Sequence, residues 1–267
     1  MKTLEDLLSI VAQLRDPEDG CEWDLRQTYA TLPRHTIEEA YEVEDAIHRK
    51  DYGDLKEELG DLLFQIVFYC QLASEDARFN FDDVILAISE KMVSRHPTVF
   101  KQKKLGDESA SDEAWEWIKH KERSRKFQAN CKRKPSALDG VATTLPALIR
   151  AFKLQERASM VGFDWPNVTG VLEKLLEEIN EVEEVLEGNL DAERLTDEIG
   201  DVLFTCTNLA RHCNIDPETA LRAANRKFEQ RFRRVEGLIA ANWNSSEPPS
   251  LEEMEAFWKQ AKSETTG

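Results

Sequence analysis

Acidic side chains recur in this chain at helical spacing, and they recur in duplicate. Glu198-Ile199-Gly200-Asp201-Val202-Leu203-Phe204 has a twin in Glu58-Leu59-Gly60-Asp61-Leu62-Leu63-Phe64. About five helical turns upstream by sequence count lies a second acidic group, Glu38-Glu39-x-x-Glu42 in the first half and Glu177-Glu178-x-x-Glu181 in the second. Residues three apart share a helix face, so Glu178 with Glu181 and Glu198 with Asp201 each present two carboxylates in one direction. Two such helices side by side make four carboxylates converge, which is tolerable only if protons, cationic side chains or metal ions offset the repulsion. Oxygen-only donors without His or Cys favour a hard cation, Mg²⁺ or Mn²⁺, over Zn²⁺. Such a cluster leaves coordination positions open for water and phosphate oxygens. The chemistry it suits is phosphate chemistry, with Glu39, Glu42, Glu58 and Asp61 as a candidate second metal site.

Any single Glu-x-x-Glu reads equally as a solvated helix face. The combined pattern resists that reading: the acids border apolar stripes, they recur, and each Glu-x-x-Asp encloses a glycine. Glycine in a helix interior costs about 1 kcal/mol relative to alanine, so Gly60 and Gly200 are expected to permit a close backbone approach. Lys227 and Arg231, four apart on one helix face, would balance phosphate charge. Asn225 offers a hydrogen bond to sugar, base or phosphate but is equally an ordinary polar position. Trp165 reads as a core anchor, whereas Lys259 and Lys262 beside Trp258 imply an exposed edge. The five histidines show no metal-type spacing, and no Glu-x-x-His occurs, which argues against a di-iron bundle. No G-x-x-x-x-G-K-[ST] is present, which excludes a P-loop NTPase.

The elements that must position these residues are helical. Leu4, Leu7, Leu8, Val11 and Leu14 mark a first helix that Asp16-Pro17-Glu18-Asp19-Gly20 stops. Cys21 to Arg34 reads as a loop anchored by Trp23, with Thr36 and Glu39 as a capping box opening a helix from Ile37 to about Lys50. The next helix runs from Leu55 to about Ser74, with Leu55, Leu59, Leu62, Leu63, Ile66 and Val67 facing inward. Phe81 to His96 is a third, ended by Pro97. A mobile loop is expected between Phe100 and Ala114, and a helix again from Trp115 to about Arg125. In the second half a helix starts around Leu145, Leu148, Ile149 and Phe152. Val171 to Glu187 and Leu195 to Arg211 are the acidic pair, with Gly188-Asn189 as the turn. Pro217 to Ala241 and Leu251 to Lys262 complete the plan, with a polar break from Ser245 to Ser250.

Other matches keep the same order. Gly20-Cys21-Glu22-Trp23 answers Gly162-Phe163-Asp164-Trp165, Lys91-x-x-x-Arg95 answers Lys227-x-x-x-Arg231, and Trp115-x-x-x-Lys119 answers Trp258-x-x-x-Lys262. Internal duplication follows. Its domains are residues 1–125 and 138–267, joined by a basic linker at 126–137, with the second domain as the main catalytic candidate.

Length and composition agree with a helical, two-domain chain. The 267 residues allow two workable cores. A charged fraction of 33% with 11 Gly and 9 Pro suits helices. The net charge of −17 argues against stable nucleic-acid binding and requires metal or local cations at any anionic ligand. Five cysteines without C-x-x-C spacing suggest neither a disulfide framework nor a zinc ribbon, and Cys70 and Cys206 read as core residues. The longest apolar-rich run, Leu62 to Ala73, is too short for a membrane span. The acidic start of the chain differs from a signal peptide, so a cytoplasmic location is expected.

These motifs closely resemble the MazG family of two-domain bacterial nucleoside triphosphate pyrophosphohydrolases. The resemblance also rests on Leu14-Arg15-Asp16-Pro17, Gly20-Cys21-Glu22-Trp23-Asp24, Arg95-His96-Pro97-x-Val99-Phe100 and Val161-Gly162-Phe163-Asp164-Trp165. It implies an all-α fold, a homodimer with helices packed between subunits, and Mg²⁺-dependent hydrolysis of NTPs and dNTPs to the monophosphate and pyrophosphate. It assigns metal binding to Glu178, Glu181, Glu198 and Asp201. Nucleotide contacts fall on Lys174, Glu178, Asp201, Asn225, Lys227, Glu229, Arg231 and Trp258. Glu177 or Glu178 is then expected to orient or deprotonate the attacking water, with Lys227 and Arg231 neutralising the leaving pyrophosphate. That the α-phosphorus is attacked comes from the resemblance alone. Ser89 stands at the first-half place of Asn225, which biases activity to the second half. Two other readings remain at this point: a nucleotide-sensing protein without fast turnover, and a house-cleaning hydrolase for one dNTP or a damaged one, resembling the all-α dimeric dUTPases.

Overall fold

The computed structural model describes residues 2–100, 118, 119, 122, 136–188, 191–243 and 248–264, the side chains of 97 and 98 excepted. The loop expected between 100 and 114, most of the helix expected from 115 to 125 and nearly all of the basic linker lie outside them. All regular structure among the described residues is helical. The chain divides into two compact units, Met1–Trp115 and Glu116–Gly267.

In the first unit, helix α1 (Leu4–Leu14) has the expected span. Its cap is reciprocal: the Thr3 N–H donates to Asp6 Oδ2 at 2.8 Å and the Asp6 N–H donates to Thr3 Oγ1 at 3.4 Å. A Cβ at Gly20 would stand 2.4 Å from the Asp16 carbonyl oxygen, so the turn after α1 admits only glycine there. The segment expected as a loop contains a short helix, α2 (Glu22–Leu25), and Trp23 is 47% exposed instead of being an anchor. Thr36 is not a cap. Helix α3 (Pro33–Arg49) opens at Pro33, whose fixed φ suits a first helical position. Thr36 Oγ1 instead bonds back to the Leu32 carbonyl at 3.4 Å. The Thr-x-x-Glu spacing fits inside a helix as well as at its start.

Lys50, at φ 58°, turns the chain into α4 (Tyr52–Glu75), and α3 packs along α4. Asp51 caps α4 by accepting from the Gly53 and Asp54 N–H groups at 3.1 Å each. Helices α1 and α5 (Phe81–Arg95) also pack on α4, and a short turn of helix, α6 (Pro97–Phe100), follows. Val11, Leu32, Val67, Phe68, Cys70, Leu72 and Phe81 form the core. Burying an aromatic such as Phe68, 1% exposed, stabilises by about 1.5–3 kcal/mol. Arg15 straps α1 to this core, donating to Glu75 at 2.8 and 2.6 Å and to the Asp24 carbonyl at 2.6 Å.

The expected inward stripe of α4 is corrected. Val67 is buried, but Leu59, Leu63 and Ile66 are 50%, 38% and 40% exposed. Helix α4 is apolar on more than one face, and periodicity does not say which face its own chain covers.

In the second unit α7 (Ala147–Ser159), α8 (Val168–Glu187), α9 (Ala192–His212), α10 (Pro217–Asn242) and α11 (Leu251–Glu264) follow in order. Asn167, Asp191 and Asp216 cap α8, α9 and α10. Gly188 ends α8 as the sequence leads one to expect, in an extended conformation, and Asn189 lies outside the described residues. Helix α9 packs on α8 and α7, α10 on α7 and α9, and α11 on α10. Val235, Leu238 and Ala261 are the buried centre of the α10–α11 contact. Cys206 is exposed, against the expectation of a core residue, because it falls on the side of α9 away from buried Thr205 and Thr207. Asp164 is held to the end of α9 by a two-pronged contact with Arg211 and by His212 Nε2 at 3.0 Å; these partners keep its carboxyl below the usual range although burial pushes it the other way.

Candidate active site

The α8–α9 pair brings acids together. One carboxylate oxygen from each of Glu178, Glu198 and Asp201 lies within 4.8 Å of the other two. Glu178 is 5% exposed, since its turn of α8 packs against α9. Glu181 stands outside that trio but joins it through Glu178: hydrogen bonding with Glu178 and desolvation, reinforced by the Glu178 and Glu198 charges, raise its pKa. Glu177 faces solvent, with a side chain 59% exposed. Two cations stand against these acids. Lys174 Nζ donates to Glu177 at 2.7 Å and pairs with Glu178 at 3.0 Å, and those hydrogen bonds raise its pKa. Arg194 Nε pairs with Glu198 at 3.4 Å.

Sequence reasoning passed over Arg194. The signal was its place four residues before Glu198, in the first turn of α9, where the helix dipole disfavours a cation by about 0.3–1 kcal/mol. Helix energetics do not explain a cation at that end, whereas the acids one turn on do.

The α3–α4 pair repeats the convergence with different neighbours. Oxygens of Glu39, Glu42 and Glu58 lie within 4.8 Å of one another. Asp61 is outside the trio but contributes to it: desolvation first, then the Asp61, Glu42 and Glu58 charges, push Glu39 up to about 7. Desolvation, Glu42 and Asp54 raise Glu58 as well. The residue four before Glu39 is His35, 3.7 Å from Glu38, and the residue four before Glu58 is Asp54. The first pair thus has a histidine and an acid where the second has a lysine and an arginine.

No described residue of this chain makes the close approach expected at the glycines enclosed by the acids. A Cβ at Gly60 or Gly200 would meet nothing within 4 Å inside this chain. On α10, Asn225, Lys227 and Glu229 are exposed and Arg231 is half-buried, and none of them is among the converging acids. Glu229 sits 3.7 Å from Arg233. Trp258 is half-buried on α11, its ring 5.4 Å from that of Phe228, which in turn stacks on Phe232 at 5.8 Å.

A twice-repeated helical plan whose paired helices converge carboxylates defines a class: an all-α protein with two acidic centres chemically suited to hard cations and the phosphates they carry. A sequence model of the MazG nucleotide pyrophosphohydrolase domain matches residues 27–100 and again 167–235. The chain belongs to the MazG family. It is 48% identical over 263 residues to a nucleoside triphosphate pyrophosphohydrolase of Escherichia coli K12, covering 98% of each chain. It is 43% identical over 259 residues to the nucleoside triphosphate pyrophosphohydrolase/pyrophosphatase MazG of Thermotoga maritima, covering 97% of this chain and 95% of that one. A nucleoside triphosphate pyrophosphohydrolase of Mycolicibacterium smegmatis is 28% identical over 273 residues, with 97% of this chain and 71% of the relative covered.

Proposed function

We propose that the chain hydrolyses NTPs and dNTPs to the monophosphate and pyrophosphate, with broad base tolerance, at the α8–α9 centre. The observation that carries this reading is the convergence of Glu178, Glu198 and Asp201 with Lys174 and Arg194 against them. The all-oxygen donor set fits Mg²⁺, with Mn²⁺ as the alternative, held by Glu178, Glu181, Glu198 and Asp201. When bound, such a cation neutralises phosphate charge and acidifies a water. Glu177, solvent-facing and tethered by Lys174, orients or deprotonates the attacking water, with Glu178 as the other carboxylate suited to that role. Lys227 and Arg231 neutralise the departing pyrophosphate. Asn225, Glu229 and Trp258 contact the nucleotide.

We further infer that segment 126–137 links two domains of this kind, that Glu39, Glu42, Glu58 and Asp61 form a second metal site, and that the enzyme works in the cytoplasm as a homodimer. Among the described residues no helix is long and apolar enough to cross a membrane. The dimer is supported by apolar side chains exposed at matching positions of both units: Ile37 and Leu176, Leu59 and Ile199, Leu63 and Leu203. Resolving the products of ATP tests the reaction. AMP and pyrophosphate are expected, formed only with divalent cation; ADP and phosphate would overturn the proposal.

A further inference from the structure

Trp165 lies in neither acidic helix, yet its ring rests on the acid-bearing face of α8. A Cβ built on Gly170 would come within 2.9 Å of Trp165 Cε3, so the indole covers the side of the helix toward which residue 170 points. Residues 174, 177, 178 and 181 follow residue 170 by four, seven, eight and eleven positions and share that side. The order along α8 is therefore Trp165, then Lys174, then the converging carboxylates. Gly170 and Glu178 are about 12 Å apart along the axis, at about 1.5 Å per residue.

The first unit also sets its corresponding tryptophan against the acid-bearing helix, one turn nearer the acids. The Trp23 ring stands edge-on to His35 at 6.0 Å, and His35 holds the position four before Glu39 that Lys174 holds before Glu178. In both units the tryptophan of the Gly-x-x-Trp turn lies one or two turns upstream of the acids. Trp165 is 44% exposed, so its ring is covered on the helix side and open on another. It is also held in place: neighbouring Asp164 is fixed to Arg211 and His212 at the end of α9.

We propose that Trp165 is a nucleotide-binding residue whose exposed face stacks on the base of the bound nucleotide. Phosphates lie at the carboxylates, Lys174 stands between, and the ribose and base extend back along α8 onto the indole. An indole offers a flat apolar surface that accepts every base and has no group that selects one. Glycine at 170 is what lets the ring lie on the helix. The inference rests on the nucleotide reading of this centre given above, and adds the place of the base.

Binding of α,β-methylene-ATP and of inorganic tripolyphosphate to the full chain, both with Mn²⁺, separates base from phosphate. Binding is the readout, so turnover is not needed. Trp165→Leu is expected to weaken the nucleotide analogue about tenfold and to leave tripolyphosphate within about twofold, and Trp165→Phe to recover most of the loss. Gly170→Ala, which pushes the ring off the helix, is expected to follow Trp165→Leu. Analogue binding should quench tryptophan fluorescence in the native chain, and markedly less in Trp165→Phe. If both ligands weaken equally, or the analogue binds Trp165→Leu as it binds the native chain, the base-stacking role is wrong while the nucleotide reading stands. If the native chain binds neither ligand, both fail.

Discussion

The two acidic centres share a backbone plan and differ in countercharge. In each, an acid-bearing helix packs along a second one, an aspartate side chain caps the second helix, and three carboxylates converge within 4.8 Å. One turn before the acids the second centre has Lys174 and Arg194 where the first has His35 and Asp54. Carboxylates set together in the second centre are partly neutralised by the chain itself. In the first they repel one another, and Glu39 is pushed up to about 7 by desolvation and by Asp61, Glu42 and Glu58. The acids and their helices are common to both halves, and the cations are not. The lesson is that a shared metal-competent framework need not serve a shared substrate. An anionic nucleotide needs the cations, and a bare cation does not.

The comparison breaks most visibly in turnover. Glu198→Gln is expected to lower pyrophosphate release from ATP by about 100-fold or more, equivalent to ~2.7 kcal/mol of transition-state stabilisation. The equivalent change in the first centre, Glu58→Gln, should stay within about twofold. Equal losses would mean that both centres turn over and that the difference in countercharge is immaterial. A smaller contrast lies in metal affinity without nucleotide. Glu198→Gln leaves the first centre to be titrated with Mn²⁺, and Glu58→Gln leaves the second. The first is expected to bind about tenfold more tightly, because among the described residues no side-chain cation pairs with Glu39, Glu42, Glu58 or Asp61; two partly exposed ion pairs are worth about 0.2–1 kcal/mol each. Tighter binding at the second centre would reverse the electrostatic argument.

Much of this was legible in the sequence. The duplication, the helical pairs and the acids at Glu178, Glu198, Asp201, Glu39, Glu42 and Glu58 could be read from spacing, because carboxylates three apart on a helix have to share a face. What could not be read depended on neighbours. Leu59, Leu63 and Ile66 look like core by period, yet they are exposed, since a two-faced apolar helix does not declare which face its own chain covers. Thr36 met the capping-box pattern from within a helix that Pro33 had already begun. Gly60 and Gly200 suggested a close approach that this chain does not make. Arg194 was missed because an isolated surface arginine four residues from a glutamate is common, and only the packing of α8 on α9 shows which acids it accompanies.

The smallest contrast is one of sign. Glutamine in place of Glu39 mimics the protonated acid. The folded protein raises Glu39 from its usual 4.5 to about 7, so between those values it holds a proton that the unfolded chain releases. That contribution to stability is fully present below about pH 4.5 and is lost as pH rises through 7. At pH 8 without divalent cation, Glu39→Gln should therefore melt higher than the native chain. The two should converge near pH 4, and Mg²⁺ at pH 8 should raise the melting temperature of the native chain more than that of the variant, which retains only the second centre. Glu178→Gln, at the equivalent position, should act in the opposite direction at pH 8. It breaks the 3.0 Å pair with Lys174, and the loss of that pair is expected to outweigh the relief of repulsion with Glu181. A change of 1 kcal/mol moves the midpoint by about 2–4 °C in a chain of 150–250 residues, so both shifts are within reach of calorimetry. Destabilisation by both substitutions would show that Glu39 has a neutralising partner the electrostatics do not account for, and the distinction between a self-neutralised centre and a repulsive one would have to be abandoned.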